Sequence, residues 1–188
     1  MWHYAVVVGW DAAGGNVILH SGTTPSRFVA LGVFDRTWAR SGYWGLLVLP
    51  PSRLPASATP SRYLRAVGAL ERMGRWPVAI RGYRTALERW PDSLAAAMGL
   101  GVCQYEHGDA ADAEATFRAA VDKFPHDGTP YNNLAQLLAD QGRLPEAVAA
   151  AQQAVERGGP LESSFQRTLD DIRGQIHPAP SHQGVPSF

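Results

Sequence analysis

Few residues of this 188-residue chain could carry covalent chemistry. His3 opens an apolar run, HYAVVVGW, and a second run, NVILHSG, ends near Ser21. An imidazole has the right basicity to take a proton from a thiol near neutral pH. It works as a base only when a partner on its other ring nitrogen fixes the tautomer. If the two runs pair as a hairpin folded about residue 13, His3 lies opposite Ser21 to Thr23. A serine hydroxyl orients an imidazole but does not stabilise an imidazolium by charge. His20 adjoins Ser21, but its side chain belongs to the opposite face of the strand, so it reads as structural.

The nucleophile is the gap. Only Met1 and Trp2 precede His3, and the single cysteine, Cys103, falls in a helical stretch beside Gly101 and Val102. It reads as a small packing residue. His3 is therefore either a base whose thiol lies elsewhere or a strand-end histidine.

Other chemistries lack their residues. No Gly-x-Ser-x-Gly, P-loop or dinucleotide glycine pattern occurs. The histidines at 3, 20, 107, 126, 177 and 182 form no i,i+4 pair, so neither a metal nor a cofactor is expected. Asp170 and Asp171 are adjacent on a helical stretch and should point apart into solvent. One cysteine permits no disulfide framework. Net charge is zero, with no basic stripe, which argues against nucleic acid and anionic membranes as partners. No segment has the length of a membrane span. The default expectation is a cytoplasmic chain, or an exported one if a signal lies upstream.

The elements that would position His3 are strands. Residues 2–10 read as a buried strand, residues 16–20 as its hairpin partner and 27–31 as a short strand. Phe34 and Trp38 stand four apart in a short helix over 33–40, and residues 43–49, YWGLLVL, read as another strand. Residues 51–60, within PPSRLPASATP, are a proline-rich linker. The first fifty residues are small for an independent core without a staple. They either pack on the helical sequence behind them or are the remnant of a larger domain.

Beyond the linker the chain repeats. Ala86, Ala120 and Ala154, then Gly74, Gly108 and Gly142, then Ala79, Ala113 and Ala147 each recur at a fixed step of 34 residues. Helices are expected over 61–73, 76–89, 94–107, 110–123, 129–141 and 144–157. Tyr83 and Phe117 fill the space between hairpins, where the third copy has Ala151. Pro91 and Pro125 stop the second helices, as Pro160 does after Gly159. The repeats cover about 60–93, 94–127 and 128–161. A capping helix over 162–176 presents Phe165, Leu169 and Ile172, and residues 177–188 form a polar, proline-rich tail.

This pattern resembles the tetratricopeptide repeat, a helix–turn–helix unit of 34 residues, with Leu100-Gly101 matching its first helix and Val67 and Ala135 replacing the glycine elsewhere. The phrases HYAVVVGW, NVILHSG and SGYWGLLVLP resemble the back half of a papain-like cysteine peptidase of the bacteriocin-processing, double-glycine type. Bacterial peptidases of that kind carry this half-domain before a linker and tetratricopeptide repeats. The resemblance implies His3 as general base and Ser21 at the position of the orienting acid, where the family has Asp or Asn. It also implies a cysteine opening a helix upstream.

The fold class expected is α+β. A small antiparallel sheet over residues 1–50, the remnant of a papain-like peptidase, precedes an all-α solenoid over 61–176 of three hairpins and a capping helix. Stacked hairpins form a groove lined by their first helices. By phase it includes Leu64, Gly68, Glu71 and Arg72, then Met98, Val102 and Tyr105, then Asn132, Gln136 and Asp140. Its occupant is expected to be a peptide or protein segment, unless the β-rich half fills it. The chain by itself is expected to hydrolyse no peptide.

Overall fold

A computed structural model describes residues 5–43, 45 and 49–176. The chain divides into two compact units, Met1–Val48 and Leu49–Phe188. His3, most of the strand expected over 43–49 and the tail over 177–188 lie outside the described residues.

The first unit is a three-stranded antiparallel sheet and one helix: β1 (Ala5–Asp11), β2 (Asn16–Ser21), β3 (Thr24–Ala30) and α1 (Leu31–Ala39). The strand expected over 27–31 begins earlier, because Gly22 at φ 57° makes a tight return that lets Ser21 pair with Thr24. The β1–β2 turn is closed by Asp11, whose carboxylate accepts the Gly14 amide at 3.0 Å. Asn16 Nδ2 donates to the Gly14 carbonyl, also at 3.0 Å. The Gly14 amide, together with a second bond from Asn16 Nδ2 to Asp11 Oδ2 at 3.3 Å, holds the Asp11 carboxyl below its usual range.

Val17 and Leu19 of β2 are buried. The sequence reads β1 as a buried strand, and the structure corrects this. Val6, Val7 and Val8 are 61%, 55% and 46% exposed. The physical reason is that α1, the one described helix of this unit, packs against β2 and β3.

The second unit is helical: α2 (Pro60–Arg72), α3 (Trp76–Arg89), α4 (Leu94–His107), α5 (Ala110–Lys123), α6 (Gly128–Asp140), α7 (Leu144–Arg157) and α8 (Glu162–Ile176). Gly74, Gly108 and Gly142 take positive φ, which lets the chain reverse between the helices of each hairpin. Ser93 caps α4 by accepting the Ala96 amide at 3.2 Å, and Asp127 caps α6 by accepting from Thr129 at 2.8 Å. Ala79, Ala113 and Ala147 have no exposed surface, as close helix approach requires.

Two aromatic rings fill close helix approaches, Tyr83 between the first and second hairpins and Phe117 between the two helices of the second. A Cβ on Gly99 would sit 2.3 Å from the Tyr83 ring, and one on Gly101 would sit 2.3 Å from the Phe117 ring. A polar bond repeats with the same step. Lys123 Nζ donates to the Pro91 carbonyl at 2.6 Å, and Arg157 Nε donates to the Pro125 carbonyl at 2.7 Å. Each ties the end of a second helix to the loop of the preceding repeat.

The core forms two clusters. One joins Val67, Ala79, Ile80, Tyr83, Ala86, Ala96, Leu100 and Cys103. The other runs from Ala97 and Met98 through Phe117 and Leu138 to Leu169 and Ile172. Helix α4 contributes to both, and Leu87 packs against both. The capping helix α8 buries Phe165, Leu169 and Ile172, as their spacing predicts.

Candidate functional site: the groove of first helices

Helices α2, α4, α6 and α8 hold equivalent places in the stack, and polar side chains link α4 to α6 and α6 to α8. Tyr105 Oη on α4 donates to Asp140 Oδ2 on α6 at 2.6 Å. Asn133 Nδ2 donates to Met98 Sδ at 3.4 Å. Gln136 Nε2 donates to Thr168 Oγ1 on α8 at 3.4 Å, a long bond. Near α2, Tyr83 donates to Glu71 Oε2 at 2.5 Å, and burial together with that carboxylate pushes the phenol above its usual range.

The residues expected in the groove divide by exposure. Arg72, Tyr105 and Gln136 are exposed, and Leu64 and Val102 are half-buried. Met98 is buried in the larger core cluster. Asn132 is only 7% exposed, and its Oδ1 has no hydrogen-bond partner. Such an orphaned acceptor is uncommon in a folded protein and calls for an explanation. No hydrogen bond within α6 or to α8 absorbs it.

A cavity of about 250 Å³ lies between α6 and α8, lined by Gln136, Ala139, Asp140, Thr168, Asp171, Ile172 and Gln175. Sequence reasoning missed the α8 half of it. The 34-residue step would place Asp170 beside Gln136, but Thr168 stands there, 32 residues on. The α7–α8 connection spans four residues like the two before it, but it alone of the three runs through residues at positive φ, Gly158 and Gly159.

In the first unit, Ser21 pairs with Ala5 across the β1–β2 ladder. His20 Nδ1 accepts the Ser26 amide at 2.9 Å, where Ser26 has φ 51°, so this imidazole holds the β2–β3 return. Among the described residues no group of His, Cys, Asp and Glu has the geometry of a metal site. No described helix is long and apolar enough to cross a membrane.

Cys103 is fully buried, and its thiol is pushed up to about 12, first by burial and then by Glu71 and Glu106. A thiol so placed stays protonated and inert. The native chain is expected to show no reaction with a chromogenic disulfide at pH 8 and one reacting thiol in denaturant. Rapid labelling of the native chain would overturn the assignment.

A family model described as tetratricopeptide repeat matches residues 64–128 and 105–163, together 100 of the 188 (64 to 163). No curated protein matches the chain. Among solved structures it is similar to the Sgt2 TPR domain from Aspergillus fumigatus: 17% identity and TM-score 0.58 over 69% of this chain and 86% of that one. It is also similar to the Yersinia enterocolitica type III secretion chaperone SycD in complex with a peptide of the translocator YopD. That match has 15% identity and TM-score 0.55 over 65% and 99% of the two chains. The TPR2B domain of yeast Sti1, in complex with pHsp70, gives 14% identity and TM-score 0.56 over 63% and 99%.

Proposed function

Because this chain belongs to the tetratricopeptide repeat family, we propose that it binds an extended segment of a protein partner along the groove lined by α2, α4 and α6. The observation that carries the reading is the buried, unpartnered Oδ1 of Asn132. A backbone N–H of a bound segment is the kind of donor this oxygen lacks. Two of the structural neighbours are complexes, one with a peptide of the translocator YopD and one with pHsp70, which supports a protein segment as the ligand.

A photo-cross-linking amino acid at Gln136, compared with one at Ala119 on the exposed side of α5, tests this in cells. The expected result is a discrete adduct from position 136 alone. Adducts from both positions, or from neither, would remove the proposal.

A second reading is that residues 1–50 are the C-terminal part of a papain-like, double-glycine-type cysteine peptidase, with His3 as base and Ser21 at the orienting position. Two observations favour it. The β1–β2 hairpin pairs the expected strands, with Ala5 opposite Ser21. The sheet leaves Val6, Val7, Val8, Trp10 and Phe28 exposed, as half of a larger core would. On this reading the thiol comes from another segment, and the chain alone cleaves nothing. A His3→Ala variant should then match the wild type in a fluorogenic peptide assay. Thiol-dependent cleavage lost on that substitution would overturn the chain's inactivity.

A further inference from the structure

The two edges of the sheet are built differently. The order β1-β2-β3 makes β1 and β3 the edge strands among the described residues. A free edge invites another strand, and proteins block it with proline, charge or a bulge. Strand β3 carries Pro25, which has no N–H to offer, then Ser26 at φ 51° and Arg27. Strand β1, AVVVGWD, has no proline and no charge before Asp11 at its end. Its Val6, Val7, Val8 and Trp10 are all exposed. Its one irregularity is the bulge at Val8, between Val7 and Gly9.

That bulge makes the strand complementary to itself. Val7 lies opposite Leu19 and Trp10 opposite Val17, so both belong to the face that carries the two buried residues of β2. Val6 and Asp11, opposite His20 and Asn16, belong to the other face. Val8 and Gly9 together oppose Ile18. Without the extra residue, Val7 and Trp10 would fall on opposite faces. A second β1 laid antiparallel, with a two-fold axis between Val8 and Gly9, then matches like face with like face. Val7 of each copy meets Trp10 of the other, and Val6 meets Asp11. The two Asp11 carboxylates stand about 17 Å apart, whereas parallel pairing would set them side by side at about 5 Å.

We propose that β1 pairs with the β1 of a second copy of this chain, forming one six-stranded sheet across a two-fold axis. The register match at Val7 and Trp10 favours a second copy over a foreign strand. Such a contact closes on itself, and the blocked β3 edges end the sheet at two chains. Association also answers the size of the first unit. Residues 1–48 bury Val17 and Leu19, and the only cysteine of the chain, Cys103, lies in the other unit, so no disulfide staples them. The inference is independent of the groove reading.

The test is sedimentation equilibrium on the full chain. The wild type should be a dimer at about 100 µM, where a Kd of micromolar order leaves mostly dimer. Val8→Lys puts two ammonium groups beside the axis and should weaken association at least tenfold. A cysteine pair keeps the proposal falsifiable if the lysine unfolds the sheet. In the paired state the two Val8 Cα atoms lie about 6 Å apart, within disulfide reach, and the two Val6 Cα atoms about 17 Å apart. Under copper–phenanthroline oxidation, Val8→Cys should form covalent dimer at least tenfold faster than Val6→Cys. A wild type that is monomeric at about 100 µM would overturn the proposal. So would a dimer that Val8→Lys leaves intact, or equal cross-linking from the two cysteine positions.

Discussion

Replacing Phe117 with alanine is expected to lower the unfolding free energy of the helical unit by about 3–5 kcal/mol. The ring is 3% exposed and belongs to the larger core cluster. It also lies against Gly101, so its loss opens a void between α4 and α5 that rigid helices do not close. The neighbouring glycine turns this into a sharper test. Gly101→Ala in the wild type places a methyl 2.3 Å from the ring and should cost about 1–3 kcal/mol through overpacking. In the Phe117→Ala background the clash is gone, and alanine is the better helix former by roughly 0.5–1 kcal/mol. Gly101→Ala should then be neutral or stabilising. Urea denaturation of all four chains measures the coupling, and two losses that simply add would refute the packing described.

The second large effect runs in opposite directions for stability and binding. Asn132→Leu keeps the side-chain size and removes the buried acceptor that has no partner. An unsatisfied buried polar group costs about 1–3 kcal/mol, so the variant should be more stable than the wild type by about 1 kcal/mol. The same change removes a hydrogen bond to the bound segment. Affinity for a peptide selected on the wild type should fall about tenfold or more, which corresponds to roughly 1.4 kcal/mol. Measured on one preparation, a rise in stability with a loss of affinity identifies a residue kept for binding. A fall in stability would show that the amide serves the fold, and the groove reading would lose its main support.

The helical unit was legible because its signal is periodic and local. Gly74, Gly108 and Gly142 mark reversals that need positive φ, and Ala79, Ala113 and Ala147 mark close approaches. Each position confirms the others at a fixed step. The α8 half of the groove was not legible, because the bond across it joins Gln136 to Thr168, 32 residues on, so side chains there do not meet at the 34-residue step. Asp171 therefore read as solvated surface. Asn132 read as a groove residue, but its burial depends on α6 meeting its neighbours, which no single helix records. In the first unit the hairpin was legible from its apolar runs and turn residues. The exposure of Val6 to Val8 was not, since an apolar strand shows that it can be covered and not that it is.

The two core clusters meet along α4, whose Ala96, Leu100 and Cys103 face one and whose Ala97 and Met98 face the other. In a solenoid each repeat touches only its neighbours, so such a seam divides cooperativity. The hairpin of α2 and α3 can open and exchange its amide hydrogens while α5 to α8 stay closed. A segment lying in the groove from α2 to α6 spans that seam. Its occupancy would then be felt as mechanical continuity: amides of α3 that exchange through local opening in the free chain would exchange only through global unfolding in the bound one.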